Sequence, residues 1–380
     1  MTALTRRLGN LVLSLGLGLA TLTGCGSQGP WLANGQSMAG FEALGRTGAS
    51  PYKLFVTPDN GVAPILAAIE NAKKSIHLEM YLFTDSNDSA KLIDALVARA
   101  HAGVDVEVLL EVQPFVPPKA PDCNTPQQLD LNSKGRQALL AGGVRVKFAS
   151  PAFVYTHEKS MVIDNKIAYI MTCNFTGAAF TKNREYELAD ADPRDVAELA
   201  KIFNADWNGM TYTPGPSNLV VSPNNSRAKL LQLIDSAQKS MIIQFEFISD
   251  PEVMAHMAAR TKAGVDVTMM LSYQRPDPCM GDTVAQETKM AHDAGITKLV
   301  FTKKLIQHGK MIVVDGQRAF VGSENLSANS LDNNREVGVI VTDPAVVNKL
   351  AQIGLSDYQN NLSATMLTAP APDPGDDQAP

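Results

Sequence analysis

Two short stretches of the chain carry side chains able to move protons and hold an anion. One runs from His308-Gly309-Lys310 through Ser323 and Asn325 to Glu336, the other from His157-Glu158-Lys159 through Thr172 and Asn174 to Glu185. In both, Lys follows His by two residues, Asp by seven, a hydroxyl residue by 15, Asn by 17 and Glu by 28. The two sets are separated by one constant offset of 151 residues. An imidazole and an ammonium two residues apart on an extended segment face the same way, because strand side chains alternate with period two. Cleavage of a phosphate diester needs a nucleophile, a proton for the leaving alkoxide and positive charge around the phosphoryl oxygens. Two imidazoles supply the first two needs, one attacking while the other, protonated, donates. An unperturbed histidine pKa of about 6.5 populates both forms near neutrality.

The remaining repeated residues fit supporting roles. Lys159 and Lys310 offer point charges, and Asn174 and Asn325 offer amide donors. Glu185 and Glu336 suit acceptance of a hydrogen bond from the second ring nitrogen of a histidine, which fixes its tautomer and supports the imidazolium. Thr172 and Ser323 read as donors behind the site rather than nucleophiles. Asp164 and Asp315 each follow an apolar run at a turn, Asp164-Asn165-Lys166 and Asp315-Gly316-Gln317, and read as structural. No metal or other cofactor is required by this set. His77, His101, His256 and His292 lack the company of the repeat and read as ordinary core or surface residues. Phe115 and Phe175 read as packing residues.

The elements that must position these groups repeat as well. Tyr52 to Val56 is strand-like and ends at a turn, Ile65, Leu66 and Ile69 recur at helical spacing, and Ile76 to Phe83 reads as a buried strand. Leu92, Ile93, Leu96 and Val97 mark an amphipathic helix, and Val104 to Leu110 is the next strand. The second half replays this order. Lys239-Ser240 answers Lys74-Ser75 at offset 165, and the run from Ala263 answers that from Ala102 at offset 161. Alternating strands and helices predict α/β halves with largely parallel central strands. The join, Thr211 to Pro216, is a linker by composition.

The paired motifs resemble the double HxKxxxxD signature of the phospholipase D superfamily, with its trailing Gly-Ser-x-Asn, over roughly residues 50 to 360. The second copy matches throughout. The first has Met171 in place of Gly and Thr172 in place of Ser, which implies retained chemistry in a tighter site. The resemblance implies two homologous α/β/α sandwich halves related by a pseudo-twofold axis that brings His157 and His308 together. It further implies a covalent phosphohistidine resolved by water or an alcohol. His157 would be the nucleophile and His308 the general acid, then base, although the symmetry of the motifs allows the reverse order.

Composition is that of a globular protein, with 45% hydrophobic and 19% charged residues. Arg6 and Arg7 precede an apolar run from Leu11 to Ala20, too short for a stable transmembrane helix, and Leu22-Thr23-Gly24-Cys25 resembles a bacterial lipobox. The expected organisation is a lipoprotein signal peptide at 1–24, a tether at 25–50, halves at 51–213 and 214–365, and a disordered tail at 366–380. Cys25 would be lipidated, anchoring the exported enzyme to the cell envelope, at the outer membrane if the source is Gram-negative. Loss of Arg6 and Arg7 with the leader leaves 31 basic against 39 acidic residues, a net charge of −8. That balance disfavours a protein devoted to gripping polyanions. A phospholipid beside a membrane surface is the favoured substrate, through hydrolysis or phosphatidyl transfer by a monomer holding both half-sites. A metal-independent nuclease, or a weak phosphate- or lipid-binding module, is the alternative. Cys123 and Cys279 occupy Pro-rich loops after the third strand of each half, and quasi-symmetric packing could join them as a disulfide. Cys173 reads as a small buried hydrophobe.

Overall fold

A computed structural model describes residues 31–32, 36–37 and 50–365. The leader, Cys25, most of the tether and the tail lie outside the described residues. The first half contributes strands β1 (Tyr52–Thr57), β2 (Ser75–Met80), β3 (Asp105–Leu110), β4 (Arg145–Phe148), β5 (Lys159–Ile163), β6 (Ile167–Met171) and β7 (Asn183–Asp190). Its helices are α1 (Ala63–Asn71), α2 (Asn87–His101), α3 (Ser133–Ala141), α4 (Gly177–Thr181) and α5 (Pro193–Trp207). The second half supplies β8 (Leu219–Ser222), β9 (Ser240–Phe245), β10 (Asp266–Ser272), β11 (Lys298–Thr302), β12 (Ile306–Gln307), β13 (Met311–Val314), β14 (Arg318–Gly322) and β15 (Glu336–Val341). Helices α6 (Ser226–Asp235), α7 (Pro251–Lys262), α8 (Thr283–Asp293), α9 (Ala328–Asp332) and α10 (Pro344–Thr365) complete it.

The strand orders are β12-β7-β6-β5-β2-β3-β4, with β1 also on β7, and β8-β15-β14-β13-β9-β10-β11. Both sheets are mixed, which corrects the expectation of largely parallel central strands. The β2-β3-β4 and β9-β10-β11 pairings are parallel, but the motif strands pair antiparallel with both neighbours. The reason lies in the connections. Three residues join β5 to β6 and β13 to β14, and so short a link can serve only an antiparallel pair. Asp164 and Asp315 make these turns possible with left-handed backbones of φ 54° each. The carboxylate of Asp164 accepts from the amides of Lys73, Lys74 and Ser75, and that of Asp315 from Gln238, Lys239 and Ser240. Each aspartate thereby ties its motif hairpin to the start of the neighbouring strand.

Each sheet is covered on its outer face by its own helices. Ile65, Leu92, Leu96 and Leu139 pack on Leu78, Val108 and Met161 in the first half, and Leu230, Val253 and Met257 on Ile243, Met269 and Ile312 in the second. The inner faces share one core. Val162, Ile170 and Leu188 meet Val313, Val321 and Val339, with Leu199 and Ile202 of α5 and Val347 and Leu350 of α10. Full burial of each such side chain contributes roughly 1.5–3 kcal/mol, so the halves form one body rather than beads on a string. Backbone pairing crosses the join. Strand β12 of the second half adds to β7 of the first, and Thr156 bridges Arg335.

Candidate active site

The segments preceding the two motif strands are held by the opposite half. The His157 amide donates to the Arg335 carbonyl at 2.9 Å, and the Gly309 amide to the Arg184 carbonyl at 2.7 Å. At position 309 a β-carbon would lie 2.7 Å from the Tyr186 ring, so glycine is required by this close approach. The first copy has Glu158 there. The histidine side chains are crossed in the same way. His157 Nδ1 lies 2.7 Å from Glu336 Oε2, and His308 Nδ1 lies 2.6 Å from Glu185 Oε1. Both carboxylates are fully buried. With Nδ1 occupied, Nε2 of each ring is left to act on a substrate.

The glutamates are themselves fixed. Thr172 Oγ1 donates to Glu185 at 2.6 Å and accepts from the Tyr186 amide, while Asn183 donates to Glu185 at 3.1 Å. Asn334 donates to Glu336 at 3.0 Å, and Ser323 Oγ accepts from the Val337 amide. Lys159 and Lys310 are fully buried, each donating to the carbonyl of the histidine two residues before it. Asn174 and Asn325 are buried beside them. Repeated polar residues from both halves thus converge on one centre, and Asp164 and Asp315 stand apart at the hairpin turns.

The electrostatics are less symmetric than the residues. Burial, together with Lys159 and Lys310, lowers the His157 pKa to about 4 against the pull of Glu336. Burial also lowers Lys159 to about 7, opposed by Glu336. Burial works to raise Glu185 and Glu336, but their histidine partners outweigh it and hold both carboxyls below the usual range. His157 is therefore neutral at neutral pH, the state a nucleophilic imidazole needs.

Several neighbours were not singled out from the sequence. Arg184 forms a two-pronged pair with Asp357 of α10, and Arg335 one with Asp206 of α5. Asp206 and Asp357 are themselves 151 residues apart, so the repeat offset could have found them. The Tyr81 ring meets the edge of His157 at 4.5 Å, with Lys159 Nζ 5.0 Å from its centre. Its counterpart at offset 165 is Glu246, whose carboxylate accepts from Lys310 Nζ at 3.2 Å and Asn325 Nδ2 at 3.1 Å.

The departure at Met171 has a local account. In the second half the Glu324 side chain fills the space between Gly322 and Gly338, where added β-carbons would meet it. Their counterparts are Cys173, Met171 and Glu187, so the first half takes its buried carboxyl from the strand instead of the loop. Burial pushes Glu187 up to about 8 and Glu324 well above the usual range. Cys173 is a buried free thiol beside this carboxyl.

Among the described residues, Glu79, Glu158 and Asp206 are close enough to hold a cation, with one ligand atom from each lying within 4.8 Å of the others. All are buried, and Arg335 already occupies Asp206. Burial raises Glu158 to about 7 and Glu79 well above its usual value, so protons compete for the same oxygens. Of the other histidines, His77 stacks on Phe203, His256 pairs with Asp235, and His101 and His292 are exposed. Phe175 is buried, whereas Phe115 is 38% exposed, with its ring edge-on to Tyr155 at 6.5 Å and its amide donating to the Tyr81 hydroxyl. Cys123 and Cys279 form a disulfide, with Cα atoms 4.8 Å apart.

Two α/β halves pooling paired His, Lys, Asn and Glu side chains at one crossed centre define a phosphodiesterase of the two-histidine class. The family model described as "Cardiolipin synthase, PLD-like domain" matches residues 65–207 and 230–355. The chain belongs to this family and is a phospholipase D-like enzyme. Relatives include a cardiolipin synthase of Listeria monocytogenes, 23% identical over 355 residues, covering 82% of this chain and 70% of that protein. Cardiolipin synthase 1 of Bacillus cereus is 22% identical over 369 residues, covering 86% and 69%. Among solved structures, phosphatidylserine synthase of Haemophilus influenzae shares the fold with a TM-score of 0.58 at 15% identity, covering 82% of this chain and 86% of that one. No helix among the described residues is long and apolar enough to cross a membrane.

Proposed function

We propose that the enzyme acts on phospholipid headgroup diesters, transferring the phosphatidyl group to an alcohol or to water through a phosphohistidine. The crossed pair His157–Glu336, facing His308–Glu185, carries this reading. His157 Nε2 attacks phosphorus, forming a P–N bond as the P–O bond to the headgroup breaks. His308 donates its proton to the leaving alkoxide. It then takes a proton from the incoming alcohol or water, whose oxygen replaces His157 on phosphorus. Lys159, Lys310, Asn174 and Asn325 stabilise charge on the phosphoryl oxygens, where donors in a water-poor site act most strongly. Asp164 and Asp315 act only through the hairpins they anchor.

Lipid as the substrate is supported by what the named relatives act on and by the rim of the site. Val112, Phe115 and Val154 are 46%, 38% and 55% exposed, on loops next to Tyr81 and His157. Such side chains suit acyl chains better than a polyanion. Lipidation at Cys25 and export to the envelope fit the same reading, and the Cys123–Cys279 bridge suits an oxidising compartment.

Product analysis tests it. Purified protein is offered phosphatidylglycerol, phosphatidylcholine and single-stranded DNA, each with excess chelator. Headgroup release or a new diester, undiminished by chelator, is expected. DNA cleavage without any lipid product would establish the nuclease reading instead.

A further inference from the structure

The donors that should receive phosphoryl oxygens in the second half already hold an anion of the protein's own. Glu246 Oε2 accepts from Lys310 Nζ at 3.2 Å and from Asn325 Nδ2 at 3.1 Å, and lies 3.7 Å from His308 Nε2. Its side chain is 23% exposed, so it borders the mouth rather than the core. Burial opposes its charge, but Lys310, His308 and the Asn325 amide outweigh that and keep it ionised. Among the described residues the first half places no carboxylate on Lys159 at the equivalent position. The counterpart there is Tyr81, a neutral ring over His157 and Lys159. The pseudo-symmetry of charge around the two motif lysines is broken at this position.

We propose that Glu246 is a specificity-determining residue that matches the site to monoanionic phosphodiesters and rejects dianionic phosphates. The inference rests on the phosphodiester reading above. Its basis is charge balance at the phosphate position. Lys159 and Lys310 together carry two positive charges below the pKa of Lys159, about 7. Glu246 offsets one of these, so an entering phosphate meets one positive charge fewer than the two lysines alone would present. A phosphomonoester carries up to two negative charges near neutrality. Its second charge would face the Glu246 carboxylate without compensation, in a water-poor site where like charges a few ångströms apart repel strongly. The consequence is directional. Diester substrates and diester products of transfer are accommodated, whereas the monoester left by hydrolysis is expelled and does not accumulate as an inhibitor.

The test measures binding rather than turnover, so it does not depend on which lipid is processed. Dissociation constants for dimethyl phosphate, a monoanion, and sulfate, a tetrahedral dianion, are measured by calorimetry at pH 6, where neither ligand titrates and Lys159 is charged. Wild type should bind dimethyl phosphate at least as tightly as sulfate. Glu246→Gln, which keeps the shape and removes the charge, should gain tenfold or more for sulfate and distinctly less for dimethyl phosphate. Glu246→Tyr, which imports the residue of the first half, should move the ratio in the same direction. A sulfate to dimethyl phosphate ratio unchanged in both variants would overturn the proposal, as would wild type already preferring sulfate. That comparison needs no variant to fold. Binding of neither ligand by wild type would remove the phosphodiester reading itself, and the role of Glu246 with it.

Discussion

At the scale of single residues, the arrangement predicts how activity responds to substitution and to pH. His157→Ala and His308→Ala should each abolish turnover, while His292→Ala, exposed and outside the site, should leave it intact. Residual activity within tenfold of wild type in either of the first two would end the two-histidine mechanism. Glu336→Gln keeps a partner for His157 Nδ1 but removes its charge, and should lower kcat by roughly 10²-fold or more with little change in KM. In kcat/KM the acidic limb reports His157, which must be neutral to attack and is protonated only as pH falls toward about 4. The alkaline limb reports loss of the Lys159 ammonium, as pH rises through about 7, together with loss of the proton that His308 must donate. A plateau between these values is therefore expected in the free enzyme's profile. An alkaline limb beginning only above pH 9 would show that Lys159 is not the charge being lost.

At the scale of elements, β7 and β15 do more than complete their sheets. All eight residues of β7 are buried, although it opens with Asn183, Arg184 and Glu185. Such an opening is tolerable in the interior because the side chains of Asn183, Arg184 and Glu185 each reach a partner. Asn183 and Thr172 hold the glutamate, the glutamate holds His308, and Arg184 reaches α10. The behaviour of β15 is the mirror of this. Its Gly338 leaves the room that Glu324 occupies: an added β-carbon would lie 2.8 Å from Glu324 Oε2 and against the Phe320 ring. Gly338→Ala should destabilise the fold by roughly 1–3 kcal/mol through overpacking. Adding Glu324→Ala should restore part of the loss, because it removes one of the two obstructing groups. A denaturation midpoint unchanged by Gly338→Ala would contradict this close packing.

At the scale of the whole molecule, two of the links that join the halves carry predictions about stability. The Cys123–Cys279 bridge closes a separation of 156 residues. In the chain-entropy model a loop of that size contributes roughly 5 kcal/mol. Cys279→Ser, or reduction of wild type, should lower the melting temperature by several degrees, and an unchanged value would mean that the bridge does not form in solution. The second link is the acidic group Glu79, Glu158 and Asp206 around Arg335. Burial, then neighbouring carboxylates, raise Glu158 from 4.5 to about 7 and Glu79 well above 4.5. A raised carboxyl gives stability that is fully present below its unfolded pKa and is lost as pH rises through its folded one. Glu79→Gln should therefore gain stability over wild type at pH 8 and gain little at pH 5, read as urea midpoints. Equal gains at both pH values would mean that folding does not raise the Glu79 carboxyl.

The repeat of candidate catalytic residues was legible in the sequence alone. Types and spacings survive any packing, and six residue types repeated at offset 151 could be read without coordinates. Local periodicity likewise gave the strands and helices, because alternation and 3.6-residue spacing are properties of one segment. What the sequence left open involves partners far apart along the chain. It showed that Glu185 and Glu336 suit a histidine, but only tertiary packing decided that each serves the histidine of the other half. It showed alternating strands and helices, but the antiparallel motif hairpins depended on turns whose geometry Asp164 and Asp315 set through bonds to amides some 75–91 residues away. It gave Arg184 and Arg335 without their aspartates, and Glu246 as one more acid. That glutamate became distinct only when the fold laid it over Lys310, Asn325 and His308, since the charge a site presents is a sum over groups that the chain brings together in space.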